Sequence, residues 1–128
     1  MNSKQTAEKL IKLLKDSKFH VLRYDSYSSS SVYIKPDAGL LGTIRIASHK
    51  GKSHLKYKYN VVVNKVGIAD IGDARSWFSP ENVDILVAGL IGVKESTQDK
   101  QKYAATLKST LRKNLLIKPG FWSKCKVV

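Results

Sequence analysis

"RIASHKGKSHLKYKYN", residues 45–60, is two strand-like runs joined at Lys50-Gly51, and how they pair sets the expected sheet. A two-residue turn ending in Gly is a common hairpin connection. With Lys50-Gly51 as the turn, His49 pairs with Lys52, Ile46 with Leu55 and Ile44 with Tyr57. On the other face Ala47 meets His54, Arg45 meets Lys56 and Thr43 meets Lys58. Side chains alternate between the faces of a strand. This register sorts the large apolar residues to one side and the cations to the other, so it predicts a half-buried sheet with a basic solvent face. Like charges directly opposite each other destabilise a sheet, and the Arg45–Lys56 pair therefore calls for an anion between its members.

Outward from this hairpin, the same alternation predicts strands over residues 19–24 ("FHVLRY"), 31–35 ("SVYIK"), 42–48 and 53–63. Pro36-Asp37-Ala38-Gly39 closes the second with good turn chemistry. Ala7, Leu10, Ile11 and Leu14 recur at helical spacing and predict an N-terminal helix over 4–17, with Ser3 as N-cap. Ser79-Pro80-Glu81 opens a helix over roughly 80–93. Being apolar on most sides, this helix is expected at the centre of the core. A last helix runs from near Ser96 and Thr97 to about Asn114, with Tyr103, Leu107 and Leu111 as its core stripe. "IADIGDARSWF" reads equally as a short helix or an ordered loop. The tail from residue 117 onward either docks through Phe121–Trp122 or stays mobile. The expected fold is one α+β domain over 1–128: an N-terminal helix, a four-stranded, mainly antiparallel sheet, and two C-terminal helices packed on one sheet face.

Composition bounds the function. The chain has 128 residues, 42% of them hydrophobic, enough for one domain with a real core. It has no apolar run of membrane-spanning length and no signal-type N-terminus, so a cytoplasmic protein is expected. The single cysteine, Cys125, excludes an internal disulfide and a Cys-based zinc cage. There are 23 Lys and Arg against 10 Asp and Glu, a net charge of +13. Solubility alone asks for a magnitude of about 2–8. The excess points to an anionic partner. It is also unevenly placed: residues 1–18 carry +3, 19–65 carry +6, 66–95 carry −3 and 96–128 carry +7.

The sequence carries none of the common catalytic or metal-binding motifs. His49 and His54 have no Cys or carboxylate at ligand spacing, and Asp70 with Asp73 lacks a third acid, so no metal or other cofactor is expected. The serines of "SYSSSSV" sit in no nucleophile elbow, and "GLLG" lacks the Lys-Ser/Thr of a phosphate loop. What remains is a cationic constellation. Arg45, Lys50, Lys52, His54, Lys56 and Lys58 come from the hairpin, and Arg23, Tyr33 and Lys35 from neighbouring strands. Cations over phosphate with Tyr and His beside sugar or base describe nucleic-acid binding.

The order "AEKLIKLLKDSKFHVLR", "SSSSVYIKP", "GTIRIASHKGK", over about residues 7–52, resembles the HicA-type toxins. These are small mRNA-cleaving proteins with a double-stranded-RNA-binding-like fold. The family's nuclease histidine follows a Gly-Ser, and the matching position here is Ser30 in Ser28-Ser29-Ser30. The resemblance implies an RNA-binding scaffold that has lost its cleavage chemistry. The pattern "SSSSVYI…TIRIASHKGK" is also similar to small proteins of phages and mobile elements. The expected function is non-catalytic binding of nucleic acid, RNA ahead of DNA, by backbone and shape. Two alternatives stay open. One is inhibition of a host defence ribonucleoprotein such as a CRISPR nuclease, through RNA or an acidic protein surface. The other is a metal-independent ribonuclease.

Overall fold

The computed structural model of the protein describes residues 2–26, 30–47, 59–62, 76–116 and 126–128. Helix α1 spans Ser3–Asp16 and buries the expected stripe of Ala7, Leu10, Ile11 and Leu14. Its N-cap is Asn2 rather than Ser3. The Asn2 side chain accepts from the Gln5 N–H at 2.9 Å, and the Gln5 side chain accepts from the Asn2 N–H at 3.0 Å, closing a capping box. At the other end the Phe19 N–H donates to the Leu14 carbonyl and the Lys18 N–H to that of Lys15, both at 3.0 Å. This double bond pattern requires a left-handed residue at Lys18, whose φ is 69°.

The strands are β1 (Val21–Asp25), β2 (Val32–Pro36), β3 (Ile44–Ala47), β4 (Tyr59–Val62), β5 (Ser76–Phe78) and the two-residue β6 (Lys126–Val127). They form one mixed sheet in the order β5-β4-β3-β2-β1-β6. Strands β1, β2, β3 and β6 pair antiparallel, whereas β3–β4 and β4–β5 pair parallel.

The parallel pairing overturns the expected hairpin. Arg45 stands between Tyr33 on β2 and Asn60 on β4, so both of its cross-strand positions are taken by residues other than the one the hairpin assigned to it. A two-residue turn returns the chain antiparallel; a parallel neighbour needs a longer crossover. Lys50, Lys52, His54, Lys56 and Lys58 lie outside the described residues, as do Leu55 and Tyr57. The inward half of the reading survives: Ile44 and Ile46 are fully buried. The outward half does not, because Arg45 is only 4% exposed and Ala47 is buried too. Strands with parallel neighbours are commonly covered on both faces. The sheet also gains β5 from a stretch read as helix or loop.

Ser79 stands extended before a 3₁₀ turn at Pro80–Asn82, and helix α2 follows over Val83–Glu95. Val83, Leu86, Val87 and Leu90 join α1 and one sheet face in the main core. The helix is not enclosed, since Ile85 is 59% and Val93 47% exposed. Ser96 ends α2 instead of opening the next helix: its N–H donates to the Gly92 carbonyl and its hydroxyl to that of Val93. Helix α3, Lys100–Leu116, starts after Asp99, whose carboxylate accepts from the Lys102 N–H at 2.9 Å. Leu107 packs on Leu22 and Ala38, with Tyr103 and Leu111 beside them. Leu22 projects from the face of β1 opposite to Val21, so only α2 shares the α1 side of the sheet; α3 meets the other. A helix's stripe shows that it packs, not on which side. No helix among the described residues is long and apolar enough to cross a membrane.

Candidate functional site

The turn after β2 is unusual backbone. Asp37, Ala38 and Gly39 are all left-handed, with φ of 48°, 56° and 93°. For non-glycine residues this conformation costs about 1–3 kcal/mol each and persists only where the surroundings enforce it. The enforcement is visible at Asp37, which is fully buried. Its Oδ1 accepts from the backbone N–H of His20 at 2.9 Å. Its Oδ2 accepts from the Tyr103 hydroxyl at 2.6 Å and pairs with Lys94 Nζ at 2.9 Å. One carboxylate thus ties together the chain before β1, the last turn of α2 and the first turn of α3.

Lys94 is held from other directions as well. Its ammonium donates to the Lys18 carbonyl at 3.3 Å, lies 4.7 Å over the Phe19 ring and sits 6.0 Å from that of Tyr103. The left-handed Lys18 turns that carbonyl toward it. Among the described residues, the three non-glycine residues with positive φ are Lys18, Asp37 and Ala38. Two of them contact Lys94, and the third continues the Asp37 turn. Burial, then the hydrogen bond and the negative charge of Asp37, push the Tyr103 phenol well above its ordinary value. It stays a donor at neutral pH. Three donors on its two oxygens make Asp37 a fastening point rather than a general base.

Beside this cluster lies a pocket of about 400 Å³. Phe19, Ile91, Tyr103 and Leu107 form apolar wall, and Lys18, Lys94, Lys100 and Glu95 bring charge to it. Lys100 and Ala104 line it too and begin an i, i+4 ridge on α3 that continues through Lys108 and Arg112. All four ridge residues are exposed, as are Lys102 and Lys113, and α3 contains no acidic residue.

Of the expected site residues, Arg23, Tyr33, Lys35 and Arg45 lie among the described residues, and these four do not share one face. Tyr33, Lys35 and Arg45 share a sheet face, where register places Tyr24, Tyr33, Arg45, Asn60 and Trp77 in one row across five strands. The Tyr24 and Tyr33 rings lie 5.9 Å apart, tilted by 37°. Both are buried, and an Arg45 Nη donates to the Ser31 hydroxyl at 3.3 Å. The row is therefore interior, not the open basic face the hairpin predicted. Arg23 points to the opposite face and makes a bidentate pair with Asp25, at 2.7 and 3.1 Å. Ser30, where the HicA-type histidine would stand, is exposed.

The Asp37–Lys94–Tyr103 cluster has no signature in the local sequence, because each residue has an ordinary local reading: a turn, a helix-end cation, a core stripe. Two indirect signals are present. A Tyr in a core stripe needs a partner for its hydroxyl, and Lys94 is one of only two cations in the acidic stretch 66–95. Among the described residues no group of His, Cys, Asp and Glu is arranged to hold a metal ion. The chain matches no family model, no curated protein and no solved structure.

Proposed function

We propose that this protein is a non-catalytic nucleic-acid-binding protein, RNA ahead of DNA, that grips the phosphate backbone through the outer face of α3. The observation that carries this reading is the cation-only surface of that helix. Lys100, Lys102, Lys108, Arg112 and Lys113 are all exposed, with no acid between Lys100 and Leu116. A helix exposed to water alone gains from mixed signs at i, i+4 spacing. Lys108 and Arg112 repel each other at that spacing, and phosphate relieves the repulsion. Ala104 and Ser109 keep the surface between the cations low, so a backbone can lie close. The net +13 of the chain acts in the same direction at longer range.

The test is an anisotropy titration of labelled RNA and DNA over a series of salt concentrations. Binding should weaken steeply as salt rises, because each phosphate contact releases counterions. Lys108→Glu with Arg112→Glu should weaken binding to all sequences alike and reduce the salt slope by about 2. Failure of the wild-type protein to bind either nucleic acid at low salt overturns the proposal.

A further inference from the structure

We infer that the pocket beside Phe19, Ile91 and Leu107 takes one base of a single-stranded nucleic acid whose backbone follows the Lys100–Ala104–Lys108–Arg112 ridge. The inference rests on the proposed nucleic-acid binding and adds to it a strandedness and a base-sized site. The first support is continuity. Lys100 and Ala104 line the pocket and are also the first two steps of the ridge. Successive ridge residues rise about 6 Å along the helix axis, so a strand held by Lys108 and Arg112 passes the pocket mouth within a nucleotide or two.

The second support is the chemistry of the pocket. Its volume of about 400 Å³ falls within the range of ~300–1,000 Å³ typical of small-molecule sites. Its wall of Phe19, Ile91, Tyr103 and Leu107 suits a flat, weakly polar body, and with Lys94 already paired to Asp37, Lys18 and Lys100 still outnumber the single carboxylate of Glu95. A planar base joined to an anionic phosphate has both properties. The third support is rigidity. Lys94 and Tyr103 are anchored on buried Asp37, so two sides of the pocket are set before any ligand arrives. In a duplex the base stays stacked and paired, out of reach of such a pocket. The site therefore discriminates strandedness.

The test compares Ala104→Glu with Ala105→Glu. Both positions are exposed on α3 and both changes subtract the same charge, but only Ala104 lines the pocket. A fluorescein-labelled single-stranded RNA, and the same strand annealed to its complement, are titrated at low salt; thermal melts by circular dichroism confirm that each variant is folded. The wild type should prefer the single strand. Ala104→Glu should weaken single-strand binding by about tenfold more than Ala105→Glu, the size of one lost base contact. Duplex binding should fall equally in the two. If the wild type binds both forms equally, or the two variants lose single-strand binding alike, the pocket inference is overturned while nucleic-acid binding stands. If the wild type binds neither form, both fall.

Discussion

Replacing Asp37 by asparagine should destabilise the fold by about 2–4 kcal/mol, mostly through one stranded ammonium. Asn tolerates the left-handed region as well as Asp does, so the turn at φ 48° is kept and the charge alone is removed. The carboxylate receives three donors: the His20 N–H, the Tyr103 hydroxyl and Lys94. An amide supplies one oxygen, which the His20 N–H can keep. Its NH₂ then faces both remaining donors. The Tyr103 hydroxyl can rotate and accept, but an ammonium has no acceptor. Stranding a buried partner costs about 3–5 kcal/mol. The Lys94 side chain is 30% exposed, can turn to water and keeps the Lys18 carbonyl, which lowers the figure. Urea denaturation followed by circular dichroism reads the effect as a shifted midpoint with an unchanged slope. A double-mutant cycle with Lys94→Met should return a coupling of about 0.5–3 kcal/mol between the two sites. A loss below about 0.5 kcal/mol, the range of ordinary surface changes, would refute the view that Asp37 fastens three elements.

Two further outcomes follow from the same neighbourhood. Lys18→Gly should stabilise the protein by about 1 kcal/mol in the same assay, because glycine adopts the left-handed position after α1 without the Cβ penalty; an unchanged or lower midpoint would place the tolerance for Lys18 in its side-chain contacts. The raised Tyr103 phenol predicts a pH dependence. Its contribution is complete below the unfolded value of about 10 and is lost as pH climbs above it toward the folded value. Alkaline destabilisation above about pH 10 should therefore be shallower in Tyr103→Phe than in the wild type; identical slopes would exclude that hydroxyl as a source.

Features set by neighbours a few residues apart are legible in the sequence alone. The stripe of Leu10 and Leu14 on α1, that of Tyr103 and Leu107 on α3, and the inward direction of Ile44 and Ile46 all follow from helical or strand periodicity; all are buried as that periodicity implies except Tyr103, which is half-buried against the core. Strand direction is invisible to the same signal. Residues alternate identically in a parallel and an antiparallel strand, so the sorted faces of residues 43–58 were compatible with a hairpin. Only the pairing of Ile44 with Tyr59 and of Ile46 with Val61 makes β4 parallel and encloses Arg45. The side of the sheet that α3 meets was likewise decided by tertiary packing, through the contact of Leu107 with Leu22. The buried carboxylate is the extreme case. His20, Asp37, Lys94 and Tyr103 come from four separate parts of the chain, with no shared spacing to announce them. Burial makes their meeting selective, because a carboxylate excluded from water must find its donors wherever the fold can bring them.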